Sequence, residues 1–154
     1  MPELQERNMK IQLIGFIDEL PESTKQVVLK AVEDTKDNTG MVLTFALNYG
    51  SRAEIIEATK ALANEVKSGE ISVEDINDEV FASKLQTSFL GNLQDPDLMI
   101  RTSGEVRLSN FLLWQLAYSE YYFTDIFWPD FSEEDLHKAI LTYQGRHRRY
   151  GGLA

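Results

Sequence analysis

Arg101, Glu105, Arg107 and Ser109 fall close together in the stretch LMIRTSGEVRLSNFLLWQLAYSE, which runs from Leu98 to Glu120. Two guanidinium forks this close can hold a diphosphate through charge-assisted, bidentate hydrogen bonds. The apolar tripeptide Leu98, Met99 and Ile100 reads as the end of a buried strand, and Thr102, Ser103 and Gly104 as a turn. Ser109 and Asn110 stand where a helix should begin, ahead of Phe111, Leu112, Leu113 and Trp114. Strand, polar turn and helix is the layout in which α/β proteins place ligands. A helix start also offers unpaired N–H groups and partial positive charge to an anion. Taken singly, Arg101 and Arg107 read as surface ion-pair partners, one of them with Glu105, and Ser109 as a cap. Taken together, two arginines, a glycine turn and a capped helix predict an anion site.

The elements that must position these groups alternate along the chain. Met1 to Asn8 is a polar, helical lead-in, and Lys10 to Ile14 a short strand followed by Gly15. Pro21 opens a helix in which Ser23 and Gln26 have capping-box spacing, with Val27, Val28, Ala31 and Val32 on its apolar face. It stops near Asn38, Thr39 and Gly40. Met41 to Asn48 is β-prone, nearly all apolar and too short for a typical helix. Ser51 and Glu54 form a capping box for a helix burying Ile55, Ile56, Leu62, Ala63 and Val66. Ser72 caps another through Val73, Ile76, Val80 and Phe81, and residues 86–97 form a loop. Tyr121 to Phe127 is an aromatic strand ended by Trp128 and Pro129. Ser132 then caps a last helix that buries Leu136, Ala139, Ile140 and Tyr143. This alternation predicts an α/β fold, a mostly parallel sheet flanked by helices, in a single domain spanning 1–154. About four strands is below the usual five or six, so the sheet reads as incomplete.

Composition sets the limits on function. A chain of 154 residues with 43% hydrophobic content can bury a core, and without Cys it has neither disulfides nor thiolate metal sites. There is no apolar run of transmembrane length and no signal-peptide pattern; the lack of Cys suits a reducing cytosol, and the expectation is a cytoplasmic protein at most peripheral to a membrane. Net charge is −10, with −9 carried by residues 1–97. Such a body repels a nucleic-acid backbone, whereas two local basic spots suit a small anion. The second spot is Arg146, His147, Arg148 and Arg149.

Other candidates are weaker by themselves. Asn48-Tyr49-Gly50-Ser51-Arg52 is a second strand-to-helix turn, read locally as a cap with Arg52 in solvent. Asp95 and Asp97 around Pro96 could suggest metal ligands, but turn and cap roles explain them more cheaply. Glu120, between an apolar helix and an aromatic strand, is partly enclosed and wants a partner, either an arginine or a divalent cation. No Ser/His/Asp arrangement is legible, and neither His137 nor His147 has metal-ligand spacing to another His. From the residues alone, a phosphate-ester binding domain is the reading.

The segment IRTSGEVRLSNFLLWQLAYSEYYFTDIFWPDF resembles the long signature of the cis-prenyltransferase family, in its bacterial, undecaprenyl-diphosphate-forming branch. Asn48 to Arg52 is similar to that family's Asn-Tyr-Gly-Gly-Arg, with Ser51 in place of the second glycine. Arg148-Arg149-Tyr150-Gly151-Gly152 is similar to its closing arginine-aromatic-glycine segment. The resemblance implies synthesis of a (Z)-polyprenyl diphosphate by repeated condensation of isopentenyl diphosphate with farnesyl diphosphate, using Mg²⁺, in a homodimer. The product would be delivered to the membrane as the undecaprenyl carrier for cell-wall synthesis. By resemblance Arg101, Arg107 and Ser109 hold isopentenyl diphosphate, Glu105 orients the arginines and Glu120 binds the metal. Arg149 and Gly151, from the Arg-x-Gly element, reach the neighbouring subunit's diphosphate site. Met41 to Phe45 are candidates for tunnel wall. The family's opening Asp-Gly-Asn-Gly-Arg-Trp segment, which carries the catalytic aspartate, has no match here. Pro2-Glu3-Leu4 matches a mid-chain helix instead, so the chain reads as the carboxy-terminal part of such an enzyme, inactive alone. The alternative is a non-catalytic accessory subunit that lends its Arg-x-Gly element to a partner.

Overall fold

Alternating apolar strands and capped helices produce two compact units, Met1–Phe89 and Leu90–Ala154. The computed structural model describes residues 2–146. In the first unit, α1 (Pro2–Glu6) leads into β1 (Lys10–Ile14), and α2 (Glu22–Asp34) is followed by β2 (Val42–Ala46). These two strands pair in parallel, Lys10 beside Val42 and Ile14 beside Ala46. Then come α3 (Ser51–Ser68) and the short α4 (Asp78–Ala82). In the second unit β3 (Leu98–Arg101) and β4 (Glu120–Phe123) pair in parallel, and α5 (Glu133–Gln144) contacts β4. The parallel α/β architecture expected from the alternation is present. Among the described residues it is built as two sheets of two strands.

The first unit packs Ile11 and Ile14 of β1, Ala58 and Leu62 of α3, and Ala82 and Leu85. Two buried polar groups tie its segments together. Thr35 is fully buried; its hydroxyl donates to the Ala31 carbonyl at 2.9 Å and accepts the Ile11 N–H at 3.0 Å. Glu54 is 1% exposed, and its carboxylate accepts the Tyr49 hydroxyl and the Gln86 backbone N–H, the latter at 2.8 Å. The Gln86 side chain in turn accepts the N–H of Gly15 at the carboxyl end of β1. Gly15 is required there: its φ is +116°, and a Cβ would lie 1.8 Å from the Leu47 carbonyl oxygen.

Several local expectations are corrected. Pro21, not Ser23, is the N-cap of α2, and Gln26 donates to Glu22 at 3.1 Å. The helix ends at Asp34, before Asn38, because Thr35 spends its side chain on the preceding turn and on β1. No residue of α2 is buried, and Val27 is 69% exposed. Gly50 is the N-cap of α3, so Ser51 is its first residue, and Glu54 bonds to Tyr49 and Gln86 instead of closing a box. The helix expected after Ser72 is two pieces. A capping box between Ser72 and Asp75 starts a 3₁₀ turn, Val73–Asp75, and Asn77 caps α4 anew by accepting the Val80 N–H. The loop 86–97 contains a 3₁₀ segment, Ser88–Leu93, kinked at Gly91. β2 is less buried than its composition suggests, with Val42 and Phe45 exposed.

The largest correction lies after Ser109. No regular helix forms over 109–118; the segment is a series of turns. Ser109, Asn110 and Leu112 hold left-handed φ values of 50°, 64° and 44°, which prevent a continuous i→i−4 ladder. Isolated bonds remain, Phe111 N–H to Leu108 O at 3.1 Å and Leu116 N–H to Leu112 O at 2.9 Å. Burying Leu112, Gln115 and Leu116 fixes this path. The aromatic strand is also shorter than expected, ending at Phe123, with Trp128–Asp130 a 3₁₀ turn. By contrast α5 starts as expected, with Ser132 and Asp135 in a complete capping box.

Candidate functional site

The carboxyl end of β3 is shaped by its turn. Arg101 closes the strand and accepts the Thr124 N–H at 3.0 Å. Ser103, at φ 68°, donates its N–H to Ile126 at 2.8 Å, and Gly104, also at φ 68°, donates to Thr124 at 2.9 Å. The left-handed pair thus folds the turn back onto residues 124–126 and sends the chain past the strand end again. Arg107 returns beside Arg101 as a result. Together with Met99, Ile100, Leu108 and Phe111 they line one pocket of about 150 Å³.

Internal contacts fix the guanidinium groups. Arg101 Nη1 donates to the Arg107 carbonyl and, at 3.2 Å, to Ser109 Oγ. Arg107 pairs with the half-buried Glu105. A guanidinium has five N–H donors, and these contacts engage only some of that capacity. The structure thus brings Arg101, Glu105, Arg107 and Ser109 together. It does not supply the helix N-terminus expected at Ser109, whose backbone is left-handed, so an anion here would meet side-chain charge without a helix dipole. The pocket is below the roughly 300 Å³ of a drug-sized site, so it has room for a headgroup, not a long apolar tail.

Glu120 lies elsewhere. It opens β4, paired with Leu98, at the amino end of the sheet, whereas Arg101 is at the carboxyl end. Its backbone N–H donates to the Asp97 carbonyl at 2.9 Å. Of the two partners the sequence allowed for its carboxylate, the structure provides the arginine: Arg146 Nη1 donates to Glu120 Oε2 at 2.6 Å. Three residues earlier, Tyr143 donates its hydroxyl to Asp97 Oδ1 at 3.2 Å. The end of α5 therefore holds the amino ends of both strands. Among the described residues no group of three or more His, Asp or Glu side chains could hold a metal ion. One carboxylate already paired with a guanidinium is not a cation site, and no chemical step follows from it.

Arg149 and Gly151 lie outside the described residues. Sequence reasoning missed three things: Arg146 as the partner of Glu120, the Tyr49–Glu54–Gln86 network, and Leu108 and Phe111 as pocket wall. For Arg146 the i, i+3 spacing from Tyr143 on α5 was an available signal.

Comparison with known proteins gives the family. Residues 1–151 match the prenyltransferase family model described as "Putative undecaprenyl diphosphate synthase". The chain is 56% identical over 153 residues to an isoprenyl transferase of Halalkalibacterium halodurans, covering 99% of this chain and 59% of that one. It is 58% identical over 153 residues to a (2E,6E)-farnesyl-diphosphate-specific ditrans,polycis-undecaprenyl-diphosphate synthase of Micrococcus luteus, covering 99% and 60%. A lavandulyl diphosphate synthase of Lavandula x intermedia, solved with dimethylallyl diphosphate, superposes with a TM-score of 0.93 at 37% identity, over 97% of this chain and 63% of that one. The chain spans about three fifths of the length of the curated relatives it matches. With a family model matched over nearly its whole length, the chain belongs to the undecaprenyl diphosphate synthase family of prenyltransferases.

Proposed function

We propose that this chain serves in (Z)-polyprenyl diphosphate synthesis, the repeated condensation of isopentenyl diphosphate with farnesyl diphosphate that yields the undecaprenyl carrier. The observation that carries this reading is the pairing of Arg101 and Arg107 on one pocket at the carboxyl end of β3. Two forks on a headgroup-sized pocket suit a diphosphate, and the name of the Micrococcus luteus relative supplies the allylic primer. In this reading Arg101 and Arg107 bind the isopentenyl diphosphate headgroup. Ser109 steadies Arg101, and Glu105 sets the orientation of Arg107. Arg149 and Gly151 would complete a neighbouring subunit's diphosphate site.

The resemblance implies Mg²⁺ with Glu120 as one ligand, but that carboxylate is held by Arg146 and the described residues around it do not fit a cation. Glu120 alone is too little for turnover, so the 154 residues bind without catalysing elongation. That single carboxylate, engaged by Arg146, also favours the second reading, a non-catalytic subunit that works with a partner. The exposed Phe127 and Trp128 offer apolar area for a homodimer contact. No helix among the described residues is long and apolar enough to cross a membrane. By the resemblance, the enzyme works in the cytoplasm and touches the membrane only to deliver its product. Calorimetric titration of the chain with isopentenyl diphosphate tests the proposal: binding lost in Arg101→Ala supports it, and no binding by the parent chain overturns it.

A further inference from the structure

We propose that the groove between α3 and α4 is a docking site for a basic amphipathic helix of a partner protein. The inference stands on the first unit alone and is independent of the diphosphate reading. Leu62, Ala63 and Val66 of α3 share an apolar cavity of about 440 Å³ with Val73, Ile76 and Phe81. Val73 and Ile76 are 63% and 39% exposed, so the cavity opens to solvent along the Val73–Asp75 turn. Thr59 also lines it, but donates its hydroxyl to the Ile55 carbonyl at 2.8 Å. The walls are fixed before anything binds, which lowers the cost of docking. The Ser72–Asp75 box sets the turn, Asn77 caps α4, and Lys84 pairs with Glu65 of α3 at 2.5 Å.

Charge on the rim selects the occupant. From Lys67 to Glu79 the chain holds five exposed carboxylates, Glu70, Glu74, Asp75, Asp78 and Glu79, against one lysine. Asp75 accepts the Ser72 N–H at 2.8 Å. No ion pair among the described residues takes up Glu74, Asp78 or Glu79. Asp78 precedes Phe81 by one turn of α4, so carboxylate and apolar wall are neighbours on one face. Asn77, Asp78 and Glu79, the next residues after Ile76, line a polar hollow of their own. An apolar floor with an uncompensated acidic rim complements a helix with aliphatic anchors on one face and Lys or Arg beside them. The α3 wall from Thr59 to Val66 is roughly 10 Å long by the helical rise, which matches anchors at i, i+4 and i+7. The same rim repels an anionic lipid surface and the acidic first unit of a second copy.

The test uses the full ¹⁵N-labelled chain and three probes. They are a leucine–lysine peptide with helical apolar spacing, the same peptide with glutamate for every lysine, and phosphatidylserine vesicles. The leucine–lysine peptide should bind saturably and shift the amide resonances of Leu62, Val66, Val73, Ile76 and Phe81. Val73→Asp, at an exposed position, should weaken that binding on the order of tenfold or more. Glu74→Gln, Asp78→Asn and Glu79→Gln together should cost about tenfold, since three exposed ion pairs are lost. Removing three exposed charges elsewhere on the first unit, with Glu6→Gln, Glu22→Gln and Asp37→Asn, should leave affinity within about twofold, because distant charges are screened. Equal losses in these two neutralised variants would reduce the effect to net charge and overturn the proposal. So would no saturable binding, shifts centred elsewhere, parent affinity in Val73→Asp, or tighter binding of the glutamate peptide or the vesicles. A dimer in sedimentation that Val73→Asp disperses would assign the groove to a second copy and overturn it too. Circular dichroism checks that each variant keeps its helices.

Discussion

Arg101 and Glu120 stand at opposite ends of one parallel pair of strands: Arg101 closes β3 beside Phe123, and Glu120 opens β4 beside Leu98. Three residue steps separate the two levels, roughly 10 Å along the strands. Within this unit the Arg101 and Glu120 positions are therefore not neighbours. A ligand that touches both must span the sheet edge.

Arg101→Ala and Arg107→Ala should each weaken isopentenyl diphosphate binding on the order of tenfold, since each removes a charge-assisted donor from a partly open pocket. Arg101→Ala should cost more, because it also releases the contacts to the Arg107 carbonyl and Ser109. Arg101→Lys should restore little, as an ammonium cannot reproduce the fork. Calorimetry reads all three, and wild-type affinity in both alanine variants would remove these residues from the site.

The cap of α5 should be acid-labile. The Ser132 hydroxyl, then its backbone N–H, hold the Asp135 carboxyl below its ordinary value of 3.8, with Lys138 assisting. A value lowered by folding adds stability that is full above the unfolded value and is lost as pH falls through the folded one. Ser132→Ala should cost about 1 kcal/mol at neutral pH. It should also flatten the acid limb of a Tm-against-pH curve. Parallel acid limbs in variant and parent would contradict this role.

Two glycines should respond differently to alanine. Gly69, at φ +79° at the end of α3, has nothing within 4 Å of an added Cβ, so Gly69→Ala should cost about 1 kcal/mol of backbone strain. Gly15→Ala adds a collision with the Leu47 carbonyl. It should lose more than about 2 kcal/mol, or fail to fold. Urea midpoints distinguish the two, and equal losses would mean that the crowding at Gly15 relaxes easily.

Purified chain of confirmed mass should not elongate farnesyl diphosphate with labelled isopentenyl diphosphate and Mg²⁺. Acceleration depends on donors and a cation around the departing diphosphate, and among the described residues no cluster of three metal-ligating groups exists. Robust incorporation of label would show that the chemistry resides in groups other than those named here.

Self-association should run through the aromatic segment after β4. Phe127 is 64% and Trp128 72% exposed, although Trp128 stacks on Phe131 at 6.0 Å. Sedimentation should show a dimer at micromolar concentration that Trp128→Glu weakens, and a stable monomer of the parent chain would count against it.

What the sequence disclosed follows the range of the interactions involved. The start of α5 was legible because Ser132 and Asp135 form a local signal directly ahead of a periodic face. Arg101, Arg107 and Ser109 were legible because nine consecutive residues hold them all. The helix expected from Ser109 was not real, because an apolar run has the same composition whether its backbone is right- or left-handed; burial of Leu112 and Leu116 decided it. Ser72 and Asn77 are caps in close succession, and the second restarts what the first began. The partner of Glu120 is 26 residues away and depends on where α5 docks, which no local pattern encodes.

The side-chain contacts along β1 also set how this protein can grow by strand addition. The N–H of Ile11 is taken by Thr35 and that of Gly15 by Gln86, so both ends of the outer edge of β1 are stoppered. Among the described residues no strand covers the far side of β2, where Val42 and Phe45 are exposed. A template stoppered on one side and open on the other extends in one direction only. Any ordered aggregate nucleated by this unit should therefore begin at β2, and one charged residue on that edge would act as its gatekeeper.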